Sequence, residues 1–272
     1  DAQLLEILGQ GSDPETIQKH FISLFANIAR VEFDPKQKNQ IIGMYSSEGE
    51  YVPFSDPVIC QDNVENWLNK LVEEMQNTMN DIIRTMSASV YNELTSCTED
   101  KLLKFIQMYP SQVALLGLQI YWTFESELAL RKASKNEKGG IMPLTKKKFD
   151  TINDYLVNLI KKELSNLDRT SIETLITIHI HQCDIFTSLV RKKGKSVSPA
   201  DFDWQKQTRF YWKTEKDRCV VSITDSDFEY CNEYLGCTDR LVITPLTDRI
   251  YISCAQAMSM FLGGAPAGPA GT

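Results

Sequence analysis

The amino-acid sequence predicts a mainly α protein: an elongated helical-bundle rod with small β-hairpin and meander elements, ending in the first helix and strand of an α/β module. Three observations lead there. Val64, Trp67, Leu68, Leu71, Val72, Met75, Met79, Ile82, Ile83 and Met86 recur every three or four residues, the apolar stripe of one long helix. Gly (13) and Pro (10) are too few in 272 residues for the many tight turns of an all-β chain. After Ser198-Pro199 the texture changes to short runs of β-branched and aromatic residues, separated by Glu-Lys-Asp and Asp-Ser-Asp.

Element by element, Asp13-Pro14 reads as a helix start, a short polar cap followed by Pro where its missing N–H costs nothing. Ile17, Phe21, Leu24, Phe25 and Ile28 follow at helical spacing. From Gln40 to Phe54, apolar runs flank Ser-Ser-Glu-Gly, a hairpin signature. The striped helix comes next, about 25 residues and nearly 40 Å long at ~1.5 Å per residue. Further helices are expected over Glu99–Tyr109, Ser111–Ala133, Thr145–Ser165 and Arg169–Lys192. Val113–Trp122 is apolar nearly all round, which places it at the bundle centre. Thr208–Thr214, Arg218–Thr224 and Phe228–Leu235 then form an antiparallel meander. A helix over Leu246–Ala257 and a strand over the apolar run Met258–Leu262 complete the order. The units are therefore a helical region over 1–207 with its hairpin near 40–54, a meander over 208–235, and the start of the α/β module over 236–272. Gly139-Gly140 and Gly194–Pro199 are its softest joints.

Composition excludes several classes. Hydrophobic residues at 42% and charged residues at 24% describe a globular chain too apolar for disorder. A net charge of -7 argues against a general nucleic-acid binder, which needs a basic face. Seven scattered cysteines without a C-x-x-C pair read as reduced thiols. With Asp1 first and no apolar leader, the reading expects no secretory signal and a piece of something longer. The uncharged stretch Ile250–Thr272 is long enough to span a bilayer, but Ser253, Gln256, Ser259 and its Gly/Pro/Ala-rich half argue against that.

The C-terminal Gly268, Pro269, Ala270, Gly271 and Thr272 match the first five positions of G-x-x-x-x-G-K-[ST] after an apolar run. Glycine lets such a loop wrap its N–H groups around phosphate. Standing alone, a terminus of this composition reads more readily as a flexible tail. The upstream block changes that. Glu233–Thr272 carries E-Y-L-G, then L-V-I-T-P-L-T-D-R, then G-G-A-P-A-G-P-A-G-T, and it resembles the junction in dynein heavy chains where the linker enters the first AAA+ module. QVALLGLQIYWT, TLITIHIHQCDIF and SITDSDFEYCNEYLGCTDR are similar to the C-terminal part of a dynein linker, with variants closer to outer-arm axonemal heavy chains than to cytoplasmic ones.

The resemblance implies that Leu241, Val242, Ile243, Thr244 and Pro245 pass over the adenine of the first module's nucleotide, and that Gly268–Thr272 is the first half of its phosphate loop. It implies ATP or ADP with Mg in the complete motor, and an ATPase parent. It further implies the AAA+ ring of the same heavy chain as partner, microtubules reached indirectly, possible other arm subunits, no nucleic acid, no membrane, and a ciliary or flagellar axoneme. The loop lysine and the residues that activate water fall outside the sequence, so neither tight nucleotide binding nor hydrolysis is expected of this stretch alone, and no catalytic residue is assigned. The competing reading is a non-motor helical scaffold, with Leu241–Pro245 as plain core.

Other features have simpler readings. His179 and Cys183 share a helical face but His181 turns away, so at most two ligands converge where structural zinc needs four. Lys146–Lys148 and Arg191–Lys195 lie near helix ends, where solvation and, at a C-terminus, the helix dipole explain them. Trp67, Trp122, Trp204 and Trp212 sit in apolar patterns and are expected in the core.

Overall fold

The computed structural model describes residues 9, 14–61, 63–135, 140–191, 198–238, 240 and 242–268. Among these, the chain runs α1 (Pro14–Ile17), a 3-10 turn (Gln18–His20), α2 (Phe21–Leu24), β1 (Arg30–Phe33), β2 (Gln40–Tyr45), β3 (Tyr51–Ile59), α3 (Val64–Thr95), α4 (Glu99–Met108), α5 (Ser111–Ser134), α6 (Ile141–Leu159), α7 (Asn166–Val190), α8 (Phe202–Gln205), β4 (Arg209–Lys213), β5 (Arg218–Ile223), β6 (Ser226–Glu229) and α9 (Pro245–Ser259). The mainly α architecture with two small antiparallel sheets is the fold class expected.

The stripe of α3 is longer than its apolar pattern foretold, 32 residues or about 48 Å. Its buried side, from Trp67 through Met75, Met79 and Ile83 to Val90 and Leu94, faces β3 on one flank and α5 on the other. The outer edge of β3 is covered by this helix. Thr78 Oγ1 accepts from Ser55 N at 2.9 Å, and Glu74 Oε1 accepts from Asp56 N at 2.9 Å, so side chains replace a fourth strand. Pro53 and Pro57 are tolerated on this edge because they need no ladder partner there.

Helix α5 is the centre of the bundle. Twelve of its first thirteen residues are buried, and α3, α6, α7 and β4 pack around it. Gly117 permits a close approach: a Cβ there would lie 2.7 Å from Met86 Sδ and 2.8 Å from Phe105 Cζ. Lys148 of α6 reaches buried Glu125 at 2.8 Å. Thr98 and Ser165 cap α4 and α7 by accepting from Lys101 N and Asp168 N. Trp67, Trp122 and Trp204 are core, while Trp212 is half-buried against it.

Three local expectations differ. The apolar positions Ile17, Phe21 and Ile28 are buried, but no single helix carries them; the 3-10 turn breaks it and Phe25 turns extended. The hairpin gains β1 as a third strand, which pairs with β2 through a register shift at Glu32/Phe33. The run Met258–Leu262 is not a strand. Helix α9 continues to Ser259 and closes in a Schellman cap, with Leu262 N donating to Ala257 O at 2.8 Å, Phe261 N donating to Met258 O at 3.0 Å, and Phe261 at φ 58. A parallel strand needs a neighbour for its backbone groups, and none is present among the described residues, so the helix end takes them.

Candidate functional site

The segment read as the adenine side alternates. Ile243 packs against the bundle core, whereas Val242 is 70% exposed and Thr244 is exposed too. Thr244 is the N-cap of α9: its Oγ1 accepts from Thr247 N, and Thr247 Oγ1 accepts from Thr244 N at 2.7 Å, a reciprocal capping box with Pro245 opening the helix. Thus Thr244 and Pro245 have a structural job, and Val242 is the member that offers a free apolar face. Leu241 lies outside the described residues. So do Pro269, Ala270, Gly271 and Thr272. Gly268 is exposed, in chain without regular secondary structure. Beyond the cap of α9 the chain doubles back, and a Cβ on Gly264 would sit 3.1 Å from Cys254 Sγ. Among the described residues, no backbone hydrogen bond joins Gly268 to the 242–245 segment.

What precedes this segment is held with unusual density. The stretch Tyr230–Thr238, which contains Glu-Tyr-Leu-Gly, leaves the meander as a strap after a last ladder bond from Tyr230 N to Cys219 O. Three separate elements grip it. Buried Gln112, in the first turn of α5, donates to Glu233 O at 2.8 Å and to Tyr230 Oη at 2.6 Å, while its Oε1 accepts from Leu235 N at 2.7 Å. Asn27 donates to Leu235 O at 2.8 Å and to Glu48 Oε2 at 3.0 Å, and its Oδ1 accepts from Ser47. Buried Glu50, just past the β2–β3 turn, accepts from Tyr234 Oη at 2.6 Å and from both Ser111 N and Ser111 Oγ at 2.7 Å.

The Glu50 carboxylate therefore serves as a helix cap donated from elsewhere in the chain, at the positive end of α5 where Pro110 offers no side-chain cap. Burial, then the Glu50 charge, push the Tyr234 hydroxyl far above its ordinary value, so it remains a donor. Gly236 closes the strap at φ 57, and a Cβ there would lie 2.5 Å from Asn27 Nδ2 and 2.7 Å from Ser46 Cβ. Only glycine fits that backbone conformation and that space.

The meander is tied as firmly. Glu127 of α5 accepts from Tyr211 Oη at 2.6 Å and from Trp204 Nε1 at 3.3 Å, and Thr123 Oγ1 accepts from Phe210 N at 3.1 Å. Arg84 of α3 grips Asp217 of the β4–β5 turn with two nitrogens, and Asn80 donates to Asp217 O at 3.2 Å.

Sequence reasoning missed Asn27, Glu50 and Gln112. The one available signal was Gln112 itself, a polar residue at the head of a helix apolar nearly all round. Of the residues weighed for metal, His179 is fully buried and bonds Phe149 O through Nε2 at 2.9 Å, while His181 faces Asp248 at 3.9 Å. In the basic runs, Lys146 pairs with Asp150 at 2.5 Å and Lys148 with Glu125; Lys192–Lys195 lie outside the described residues, as do Gly139 and Gly194–Val197.

The fold and the site describe a class: a helical bundle strapped to a segment whose sequence goes on to the first positions of a phosphate-loop motif. Comparison with known proteins gives that class a family. Residues 1–86 match the family model "Dynein heavy chain, N-terminal region 2", and residues 230–272 match "Hydrolytic ATP binding site of dynein motor region". The whole chain is 48% identical to dynein axonemal heavy chain 5 of Rattus norvegicus and 49% identical to dynein axonemal heavy chain 8 of Homo sapiens. It is 44% identical, over 99% of its length, to the flagellar outer-arm dynein gamma chain of Chlamydomonas reinhardtii. The chain spans 8%, 6% and 6% of those proteins. It belongs to the dynein heavy-chain family.

Proposed function

We propose that this stretch is the part of an axonemal dynein heavy chain, of the outer-arm type, in which a mechanical linker joins the first AAA+ module. It carries conformational change driven by ATP and Mg into movement along microtubules. The strap supports this reading most directly. The residues immediately before the nucleotide-side segment are bonded to β2–β3, to α5 and, through the meander, to α3, so a displacement at Val242–Pro245 pulls on the whole rod. Long helices packed side by side resist bending and pass that strain on. The names of the relatives support a ciliary or flagellar axoneme as the place of work. Leu241–Pro245 serves as the adenine side, with the Val242 face toward the base, and Gly268–Thr272 as the opening of the phosphate loop.

The test uses a heavy-chain motor carrying this stretch. Gln112→Ala with Glu50→Gln should leave ATP turnover within about twofold while lowering microtubule gliding velocity several-fold, because the strap and not the chemistry is altered. Equal loss of both, or loss of neither, refutes the transmission reading. In parallel, ATP should bind by calorimetry when the complete first module follows this stretch, and binding should fall when Leu241–Pro245 is made polar.

A further inference from the structure

Between β3, α3, the α4–α5 turn and the head of α7 opens a groove of about 630 Å³. None of its lining belongs to the nucleotide-side segment. Only Glu50 and Ser111 belong to the fastening of the strap, and both are buried. The open walls are aromatic, proline and methionine. Tyr51 is 41% exposed although its ring lies on Gly43, where a Cβ would be 2.6 Å from it, and Met108 is 60% exposed. Tyr109 and Pro110 are half-buried beside Met108, and Pro53 is exposed two residues along β3 from Tyr51. The charges on the lining have one sign: Glu50, Asp81 and Asp168, with no Lys, Arg or His. Ser111 and Tyr234 donate to Glu50, and Arg84 holds Asp81 at 2.7 Å. Asp168, in the first turn of α7, accepts from the neutral Gln107 Nε2 at 3.1 Å and forms no ion pair among the described residues. A groove with apolar walls and charge of one sign concentrates the opposite charge.

We propose that this groove takes a proline-rich segment of a partner polypeptide that carries an arginine. The guanidinium answers Asp168, whose carboxylate matches its planar fork, and the proline rings lie against Tyr51, Tyr109 and Met108. The chain makes a guanidinium–tyrosine pairing of its own next door: Arg30 stands 3.5 Å from the centroid of the Tyr45 ring, and Tyr45 is 4.7 Å from Tyr51. A partner strand has little to add to here. Pro53 has no N–H, and Thr78 and Glu74 already accept from Ser55 N and Asp56 N. A polyproline helix needs no ladder, since it has no internal hydrogen bonds to match and is read through its side chains. An acidic partner is repelled by the lining and by a chain of net charge -7, and a neutral one leaves Asp168 unanswered. The groove goes beyond the linker reading and does not rest on it.

The experiment titrates a heavy-chain motor carrying this stretch into the rhodamine-labelled peptide Ala-Pro-Leu-Pro-Pro-Arg-Pro-amide and follows fluorescence anisotropy. Saturable binding is expected with Kd of about 0.1 mM or tighter. Asp168→Asn keeps an acceptor for Gln107 and should weaken binding about tenfold, the worth of one charge-assisted bond. Met108→Ala, at an exposed position that leaves the fold intact, should weaken it about threefold or more. Replacing the peptide arginine by citrulline should cost about tenfold, and replacing its prolines by glycine a similar factor, because the extended form must then be ordered on binding. ATP turnover of the motor should not change the ranking of the peptides. No saturation by about 1 mM overturns the proposal, as does a Kd that neither Asp168→Asn nor Met108→Ala moves. The citrulline peptide binding as tightly removes the role of the guanidinium. The glycine peptide or arginine amide alone binding as tightly also overturns it, because the groove would then be a site for a small cation and not for a proline-rich segment.

Discussion

Replacing Glu50 by alanine tests the strap at its most buried point. Glu50 is 6% exposed and accepts three bonds, from Ser111 N, Ser111 Oγ and Tyr234 Oη, all at 2.6–2.7 Å. Alanine leaves the three donors unsatisfied, each at a cost of about 1–3 kcal/mol. It also removes the negative charge from the α5 N-terminus, worth about 0.3–1 kcal/mol. Against this stands the relief of no longer burying a carboxylate, a gain of a few kcal/mol. The net expectation is a destabilisation of about 3–5 kcal/mol, or a fall in Tm of about 6–15 °C for a chain this size. Glu50→Gln keeps one acceptor oxygen for Ser111 and should lose about 1–2 kcal/mol. Urea titration followed by circular dichroism measures both, with an unchanged m-value certifying that stability alone has moved. A Glu50→Ala chain within 1 kcal/mol of the parent would refute the claim that this carboxylate fastens the strap.

The same reasoning extends to three other sites. Gln112→Ala removes the acceptor of Leu235 N, so exchange of the Leu235 amide should quicken about tenfold or more, with amides in the middle of α3 unchanged. Gly236→Ala must place a side chain at φ 57 against Asn27 and Ser46, and a loss of about 2–3 kcal/mol is expected in denaturation. Burial holds His179 below its ordinary value of 6.5, so from pH 6.5 downward the unfolded chain binds a proton that the folded chain refuses. Stability present above pH 6.5 should be lost on acidification, by at most about 1.4 kcal/mol per pH unit for each such histidine between pH 6.5 and 5, and His179→Gln should flatten that slope, leaving the share of His181, which burial shifts the same way.

Where function required periodic burial, the chain announced it. The stripe of α3 and the apolar Val113–Trp122 stretch of α5 are read from spacing alone, because each buried position recurs with the helical period. Ile17, Phe21 and Ile28 mislead for the same reason: their spacing suits one helix, yet a 3-10 turn and an extended Phe25 bury them just as well. Met258–Leu262 has the composition of a strand, but composition does not supply a neighbour, and the helix end captured its backbone groups. The motif residues around 241–245 and 268–272 stood out by resemblance. Their anchors did not, since Glu50 meets Tyr234 across 184 positions and Gln112 meets Leu235 across 123. Nothing local in a sequence marks a carboxylate as the cap of a distant helix.

Much of the strap is fastened by its main chain. Gln112 and Asn27 hold Glu233 O, Leu235 N–H and Leu235 O, backbone groups that every residue type offers except that proline lacks the N–H. The side chains at 233 and 235 are thereby relieved of the fastening and are free to change over evolutionary time, whereas Asn27, Gln112 and Gly236 are not. Variation within a heavy-chain population should accordingly gather on the strap's outward positions and spare the residues that grip it, so harmful substitutions would be found far from the strap in sequence, in the hairpin and at the head of α5.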